Sequence, residues 1–310
     1  MKCINNICSL VSFGFLLVIT FLSCHPAESQ SPYSLPSEFN DYWYSGEAEL
    51  TRYDLQQARY GEIHKGEAVL IFVTEEFRKD KQVKYEGGDR KNVVPILKLN
   101  FTKKFNTGIY PYSLMSSIFT PTSGDKTIKV STTTQEWCGH TFSQFNLKGN
   151  KYQGQLFSYF QEEGDQNIKV EGTLLEDEIW TKIRLNPESL PTGEFQIIPG
   201  SQFQRLAHTE IQSEKAIAAI RDIEDSSLSN SKLKAYELTY QNVNRKLTIF
   251  YEAQFPHQIV KWTEEVASGY GSNRKTLTTI ATKTHQIKSA YWGKNGVVDL
   301  PLREKLGLQH

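Results

Sequence analysis

The densest chemistry in the chain sits at Glu136-Trp137-Cys138-Gly139-His140, where a carboxylate, a thiol and an imidazole occupy alternate positions. Residues two apart share a face of an extended strand, so Glu136, Cys138 and His140 would point the same way. An imidazole beside a cysteine stabilises the thiolate, its nucleophilic form. That pattern suits a Cys/His-dependent hydrolase or transferase. Catalytic Cys–His pairs, however, come from distant segments, and no local signature of a cysteine hydrolase surrounds Cys138. The competing reading makes Cys138 a small buried hydrophobe beside Trp137, with Gly139 allowing a bulge that re-aims His140. This second reading is preferred: no catalytic residue is assigned, the chain leans away from being an enzyme, and Cys138, His140 and Glu136 remain its candidates.

Other chemistries find less. Zinc takes three or four protein ligands, and beyond Cys138 and His140 only scattered His64, His208, His257 and His285 could supply the rest, none spaced with another as a pair. No metal site and no cofactor are expected. The chain has no Gly-x-Ser-x-Gly elbow, Walker loop or dinucleotide fingerprint. The neighbouring acids Glu75-Glu76, Glu162-Glu163 and Glu264-Glu265 would point to opposite faces of a strand, unlike the facing carboxylates of a glycosidase.

A different chemistry is written at the start. Lys2 leads into an apolar run from Ile7 to Leu22 that stops at Leu22-Ser23-Cys24. A secretory signal ends its apolar run at a small residue, and a cysteine directly behind that residue can accept lipid. Residues 1–23 therefore read as a lipoprotein signal and Cys24 as the lipidation site. Phe21 stands where such signals usually carry Leu. Two or three acyl chains would hold the mature protein on a membrane. His25 in place of an aspartate points to the outer membrane, and the lack of an acidic run directly after Cys24 favours its periplasmic side over the cell surface. Residues 24–38, rich in Pro, Ser, Glu and Gln, read as a flexible tether.

Lysine plus arginine equals aspartate plus glutamate at 35 each, so no basic field calls for nucleic acid. With Cys3 and Cys8 in the signal and Cys24 lipidated, Cys138 is left alone and no internal disulfide can form. Residues 39–310 show no second low-complexity break, which suits one β-rich domain or two packed halves joined near 161–172.

The elements that would position these residues are mostly strands. Short runs rich in Thr, Tyr, Phe, Val and Ile alternate with Gly, Asn and Pro. Strands are expected at 42–53, 61–74, 96–105, 128–135, 141–147, 152–160, 235–241, 246–253, 258–266 and 276–289. Turns at 147–151 and 241–245 predict hairpins. One helix is expected mid-chain, with Thr173 and Glu176 as a capping box ahead of Leu175, Ile179, Trp180 and Ile183, and Asn186-Pro187 as its stop. A second is expected at 213–223, where Ile217, Ile220 and Ile223 recur every three residues. The fold class is mainly β: a strongly curved antiparallel sheet or open barrel with one or two helices packed against it. Such folds often enclose an apolar cavity.

The runs Tyr42-Trp43-Tyr44-Ser45-Gly46-Glu47-Ala48-Glu49, Gln57-Ala58-Arg59-Tyr60-Gly61-Glu62 and Gln135 to His140 resemble an uncharacterised family of bacterial lipoproteins. Members often carry the label "septum formation inhibitor Maf". True Maf proteins are cytoplasmic α/β nucleotide pyrophosphatases with a Ser-rich, Arg-Arg phosphate motif, and this chain has neither motif nor pattern, so the label reads as a transfer error. From Trp180 through Pro191-Thr192-Gly193-Glu194 to Val266, the order of elements is similar to an envelope domain of unknown function. More loosely it is similar to the LolA and LolB lipoprotein carriers, whose curved sheet holds acyl chains against a helix, so the expected fold is LolA- or lipocalin-like. The resemblance implies a cell-envelope address and architecture, and no activity. The expectation is a lipid-anchored envelope protein that meets the membrane through Cys24 and binds an apolar or amphipathic ligand, or an envelope partner. The alternatives are the Cys138/His140 enzyme and a purely structural protein.

Overall fold

The computed structural model describes residues 35–171 and 173–308. The expected signal at 1–23, the expected lipidation site Cys24 and the expected tether as far as residue 34 lie outside the described residues. The described chain opens with a short helix, α1 (Phe39–Trp43), and continues as an antiparallel meander: β1 (Ala48–Arg59), β2 (Glu62–Arg78), β3 (Val83–Lys84), β4 (Val93–Thr107), β5 (Tyr110–Pro121), β6 (Lys129–Glu136), β7 (Gly139–Lys148), β8 (Lys151–Ser158) and β9 (Gln166–Glu171). Then come β10 (Leu174–Leu175), α2 (Asp177–Leu185), β11 (Gly193–Ile198), α3 (Ser201–Ala207) and a second meander: β12 (Glu214–Ile223), β13 (Leu233–Tyr240), β14 (Arg245–Glu252), β15 (Ile259–Ser268) and β16 (Lys275–Ser289). A final short helix, α4 (Pro301–Lys305), follows two 3-10 turns.

All strands belong to one sheet. Its order runs from β10 through β16 to β1, β2 and β4, and on to β9, with β3 paired to β2 at the side. The outermost strands, β9 and β10, are neighbours in sequence. Their termini at residues 171 and 174 can be no more than about 10 Å apart. The sheet must therefore curl until its two edges nearly meet, as an open barrel does, and the expected mainly β, strongly curved architecture is what forms.

α2 fills the lumen. Eight of its nine residues are buried, charged ones included, because apolar walls surround it. Phe101 on β4, Trp180 on α2 and Trp262 on β15 meet in a triangle of ring centroids 4.9, 5.3 and 5.4 Å apart. Its C-terminal end is tied to β1 by a two-pronged ion pair, Arg184 to Glu49 at 2.6 and 2.7 Å. Arg184 is sandwiched by Trp43 and Phe72, its guanidinium carbon 4.9 and 4.7 Å from their centroids. The acids in the first turn and the bases in the last complement the helix dipole.

Three expectations change. The capping box does not form: Glu176 takes the N-cap position with helical backbone, and its carboxylate binds Arg245. The helix expected at 213–223 is strand β12, with Glu214, Ala216 and Ala218 buried and Ile217 exposed. Pairing with β11 and β13 along its whole length outweighs the three-residue recurrence of isoleucine. The first strand starts at Ala48 rather than Tyr42, since 39–43 are helical.

Candidate ligand-binding cleft at the sheet mouth

Consecutive antiparallel strands reverse, so the turns β1–β2, β4–β5, β6–β7, β8–β9, β13–β14 and β15–β16 gather at one end of the sheet, here called the mouth. α3 lies across this end. Between α3 and the ends of β1 and β15 opens a cleft of about 220 Å³. Phe203, Leu206, Val243 and Val266 give it apolar walls, and Gln57, Arg59, Ser268, Asn244 and Arg274 give it polar ones. Close packing of the turns shapes it: a Cβ on Gly61 or Gly269 would lie 2.7 or 2.6 Å from the Asn273 carbonyl oxygen.

Arg59 and Tyr60 are its most distinctive residues. Arg59 is buried, and its guanidinium donates to the Leu206 carbonyl at the end of α3 and, at 3.3 Å each, to the Tyr60 and Tyr112 hydroxyls. No carboxylate forms an ion pair with it among the described residues. The Arg59 carbon lies 4.3 Å from the Tyr60 ring centroid. The Tyr60 hydroxyl bonds to that of Tyr112 at 2.6 Å and accepts from that of Tyr110 at 3.1 Å. Burial raises the Tyr60 pKa, but the hydrogen bonds from Tyr110 and Tyr112 and the Arg59 charge outweigh it and hold the phenol below its ordinary value.

The two-residue turn Tyr60-Gly61 has φ of 54° and 79°. A turn with both φ values positive favours Asn and Gly, so a bulky tyrosine there carries local strain, a feature that clusters at functional sites. This was the signal in the sequence: a Tyr-Gly pair joining two alternating runs. Polar satisfaction is incomplete on the cleft wall. The Gln57 amide nitrogen donates to the Ala58 carbonyl and the Thr279 hydroxyl, both at 3.1 Å, while its oxygen, like Arg59 Nε, finds no partner within the protein.

Glu136, Cys138 and His140 do not share a face. The segment is a tight hairpin, with Glu136 opposite Gly139 and Gln135 opposite His140, so the chain turns at Trp137-Cys138, between the strands expected at 128–135 and 141–147, and the shared face that an extended segment would have given does not arise. Cys138 is exposed, against its preferred reading as a buried hydrophobe, and donates its backbone N–H to Glu136 at 2.6 Å. His140 faces outward and Trp137 is 68% exposed. The Glu136 side chain turns inward to Arg205 of α3 at 3.1 Å. None of the three lines the cleft.

The imidazole engaged with a carboxylate is instead His208, whose Nδ1 lies 2.6 Å from Glu163 and whose Nε2 accepts from Arg205 at 3.0 Å. Burial lowers its pKa. With Nε2 accepting, the neutral ring carries its proton on Nδ1, and its remaining lone pair is committed to Arg205. Glu163–His208–Arg205–Glu136 is thus a hydrogen-bonded string that pins α3 to the β6–β7 and β8–β9 turns.

Below the cleft, Arg245 binds Glu176 and, at 2.7 Å, Glu264. Lys103 faces this group, and burial lowers its pKa. Asp177 accepts from the Ser201 backbone and hydroxyl, yet burial pushes its carboxyl up to about 6. The space left among these groups is about 20 Å³. Among the described residues no cluster of three or more His, Cys, Asp or Glu side chains could hold a metal ion, and no helix is long and apolar enough to cross a membrane. No protein-family model, curated protein or solved structure matches the chain.

Proposed function

We propose that this chain is a lipid-anchored protein of the cell envelope, held at the periplasmic face of the outer membrane through Cys24, that binds a small amphipathic ligand in its mouth cleft. The observation carrying the ligand reading is the cleft wall itself: apolar side chains beside Arg59, a buried arginine not paired to the one lining carboxylate, Glu264, which is held by Arg245, and beside a buried Gln57 amide oxygen without a donor. Buried polar groups are normally hydrogen-bonded, and a ligand's polar end that reached in between them would supply a donor to the Gln57 oxygen and an acceptor to Arg59 Nε. Its size is bounded. A dry cavity of about 150 Å³ takes up benzene, so about 220 Å³ suits one ring or a short chain with a polar head. The lumen, where the LolA-type carriers hold acyl chains, is filled here by Phe101, Trp180 and Trp262.

That filled lumen favours a second reading, a purely structural envelope protein. Native mass spectrometry of protein purified gently from envelopes separates the two. The ligand reading expects a co-purified small molecule that Ala207→Trp, an exposed position on the cleft wall, displaces without loss of fold. A clean mass for both proteins supports the structural reading. Acylation is tested apart: the processed chain should carry its added mass on Cys24, and Cys24→Ser should abolish it.

A further inference from the structure

The end of the sheet opposite the mouth also exposes apolar side chains, and they are concentrated after β16. Trp292 is 53% exposed, Val297 83% and Val298 85%, with Leu300 beside them. This segment is ordered by its own bonds: the Gly296 N–H donates to Asp299 at 3.0 Å, and Leu306, farther along, packs on Leu50, Val69 and Val73 of the sheet's outer face. Isolated exposed valines need no explanation, but four large apolar side chains exposed within nine residues, Trp292, Val297, Val298 and Leu300, are more than scatter and suit a contact surface.

What covers it follows from where the chain enters. α1 sits at this same end: Lys288 of β16 donates to the Tyr42 carbonyl at 2.7 Å and to the Ser45 hydroxyl at 2.9 Å. The start of β1 pairs with the end of β16, Ala48 opposite Ser289. The described chain begins at this end, at Leu35, so whatever precedes it in sequence is attached there. Four cations, Lys288, Lys294, Arg303 and Lys305, accompany two carboxylates, Asp299 and Glu304, in residues 288–305. Tryptophan at the headgroup level, aliphatic side chains below it and lysines around them are the composition of an interfacial contact.

We propose that the segment from Trp292 to Leu300 rests on the bilayer surface that holds the N-terminus, so that the mouth cleft faces away from the membrane. The orientation adds to the proposed anchoring and depends on it. The tether supplies proximity, at an effective concentration in the millimolar range, and the segment supplies a preferred pose.

The five tryptophans make the test direct, because Trp43, Trp180 and Trp262 are buried while Trp292 and Trp137 are exposed at opposite ends. The chain from residue 31, which holds every core residue from Phe39 to Leu306, is mixed at millimolar lipid with phosphatidylethanolamine–phosphatidylglycerol vesicles carrying brominated acyl chains. Trp137→Phe, which leaves Trp292 as the exposed reporter, should be quenched, and Trp292→Phe should not. The exposed pair Val297→Asp/Val298→Asp, made in the Trp137→Phe background, should lower vesicle affinity about tenfold or more. Quenching confined to Trp137, or none in either variant, overturns the proposal. Because this chain lacks Cys24, the result is independent of acylation, which the mass measurement decides separately.

Discussion

At the scale of single residues, two buried acids should pull stability in opposite directions with pH. Glu49 is held below the ordinary carboxylate range because the Arg184 charge and hydrogen bonds outweigh the burial that would raise it. Its contribution is present above the unfolded pKa of about 4.3 and is lost as pH falls through its lower folded value. Asp177 is the reverse, raised by burial to about 6. The folded protein binds this proton more tightly, so stability falls as pH rises from about 4 to about 6, by on the order of 3 kcal/mol, and stays lower above that window. Asp177→Asn keeps an acceptor for Ser201, so it should flatten this decline and leave the protein at least as stable at pH 7. Urea midpoints at pH 4, 5, 6 and 7 read the difference; a variant with the parent slope would place the titration elsewhere. Removing Arg184 alone should be severe, about 3–5 kcal/mol for Arg184→Met, because Glu49 stays buried without its cation. The double variant Glu49→Gln/Arg184→Met should recover part of that loss. At the mouth, Tyr60→Phe removes a hydroxyl and keeps the ring; it should weaken binding of the proposed ligand about tenfold and cost on the order of 1–3 kcal/mol of stability, because Arg59, Tyr110 and Tyr112 each lose a partner. Equal affinity would remove Tyr60 from the site.

Among the elements, legibility followed how much of each decision is local. The turns at 147–151 and 241–245 were readable because Gly and Asn at a loop apex are local signals, and both hairpins form. The central helix was readable from Ile179, Trp180 and Ile183, but its surroundings were not: nothing local says that Glu176 would leave its cap for Arg245, sixty-nine residues away. β12 was misread for the same reason, since Ile217, Ile220 and Ile223 fit a helix as an isolated string and a strand once β11 and β13 flank it. At the candidate site, Glu136 was singled out for the company of Cys138 and His140, yet its partner is Arg205 on α3, a helix of seven residues too polar to show apolar periodicity. The β6–β7 turn yields a prediction of its own. Cys138 in an exposed turn should react with a small alkylating reagent in the native protein, within a few-fold of its rate in urea. Protection until unfolding would restore the buried position expected from the sequence.

For the whole molecule, the sheet decides both what is presented and how it unfolds. At about 3.3 Å per residue, the twelve residues of β1 carry the chain roughly 40 Å from the α1 end to the mouth, so the cleft opens at the end of the sheet away from α1. The sequence allows one β-rich domain or two packed halves joined near 161–172. Against the latter, the triangle of Phe101, Trp180 and Trp262 takes one ring from the first meander, one from the lumen helix and one from the second. Strands β1 and β16, the chain-order extremes of the sheet, pair at its centre. Neither half keeps a closed core without the other. Domains above about 150 residues often depart from two-state behaviour, so the expectation is a demanding one: urea unfolding followed by far-ultraviolet circular dichroism and by tryptophan fluorescence should give coincident curves. Trp180→Ala, costing about 3–5 kcal/mol, should move both together. Two separated transitions, or a shift confined to one probe, would mean that the meanders fold as independent units and that α2 belongs to only one of them.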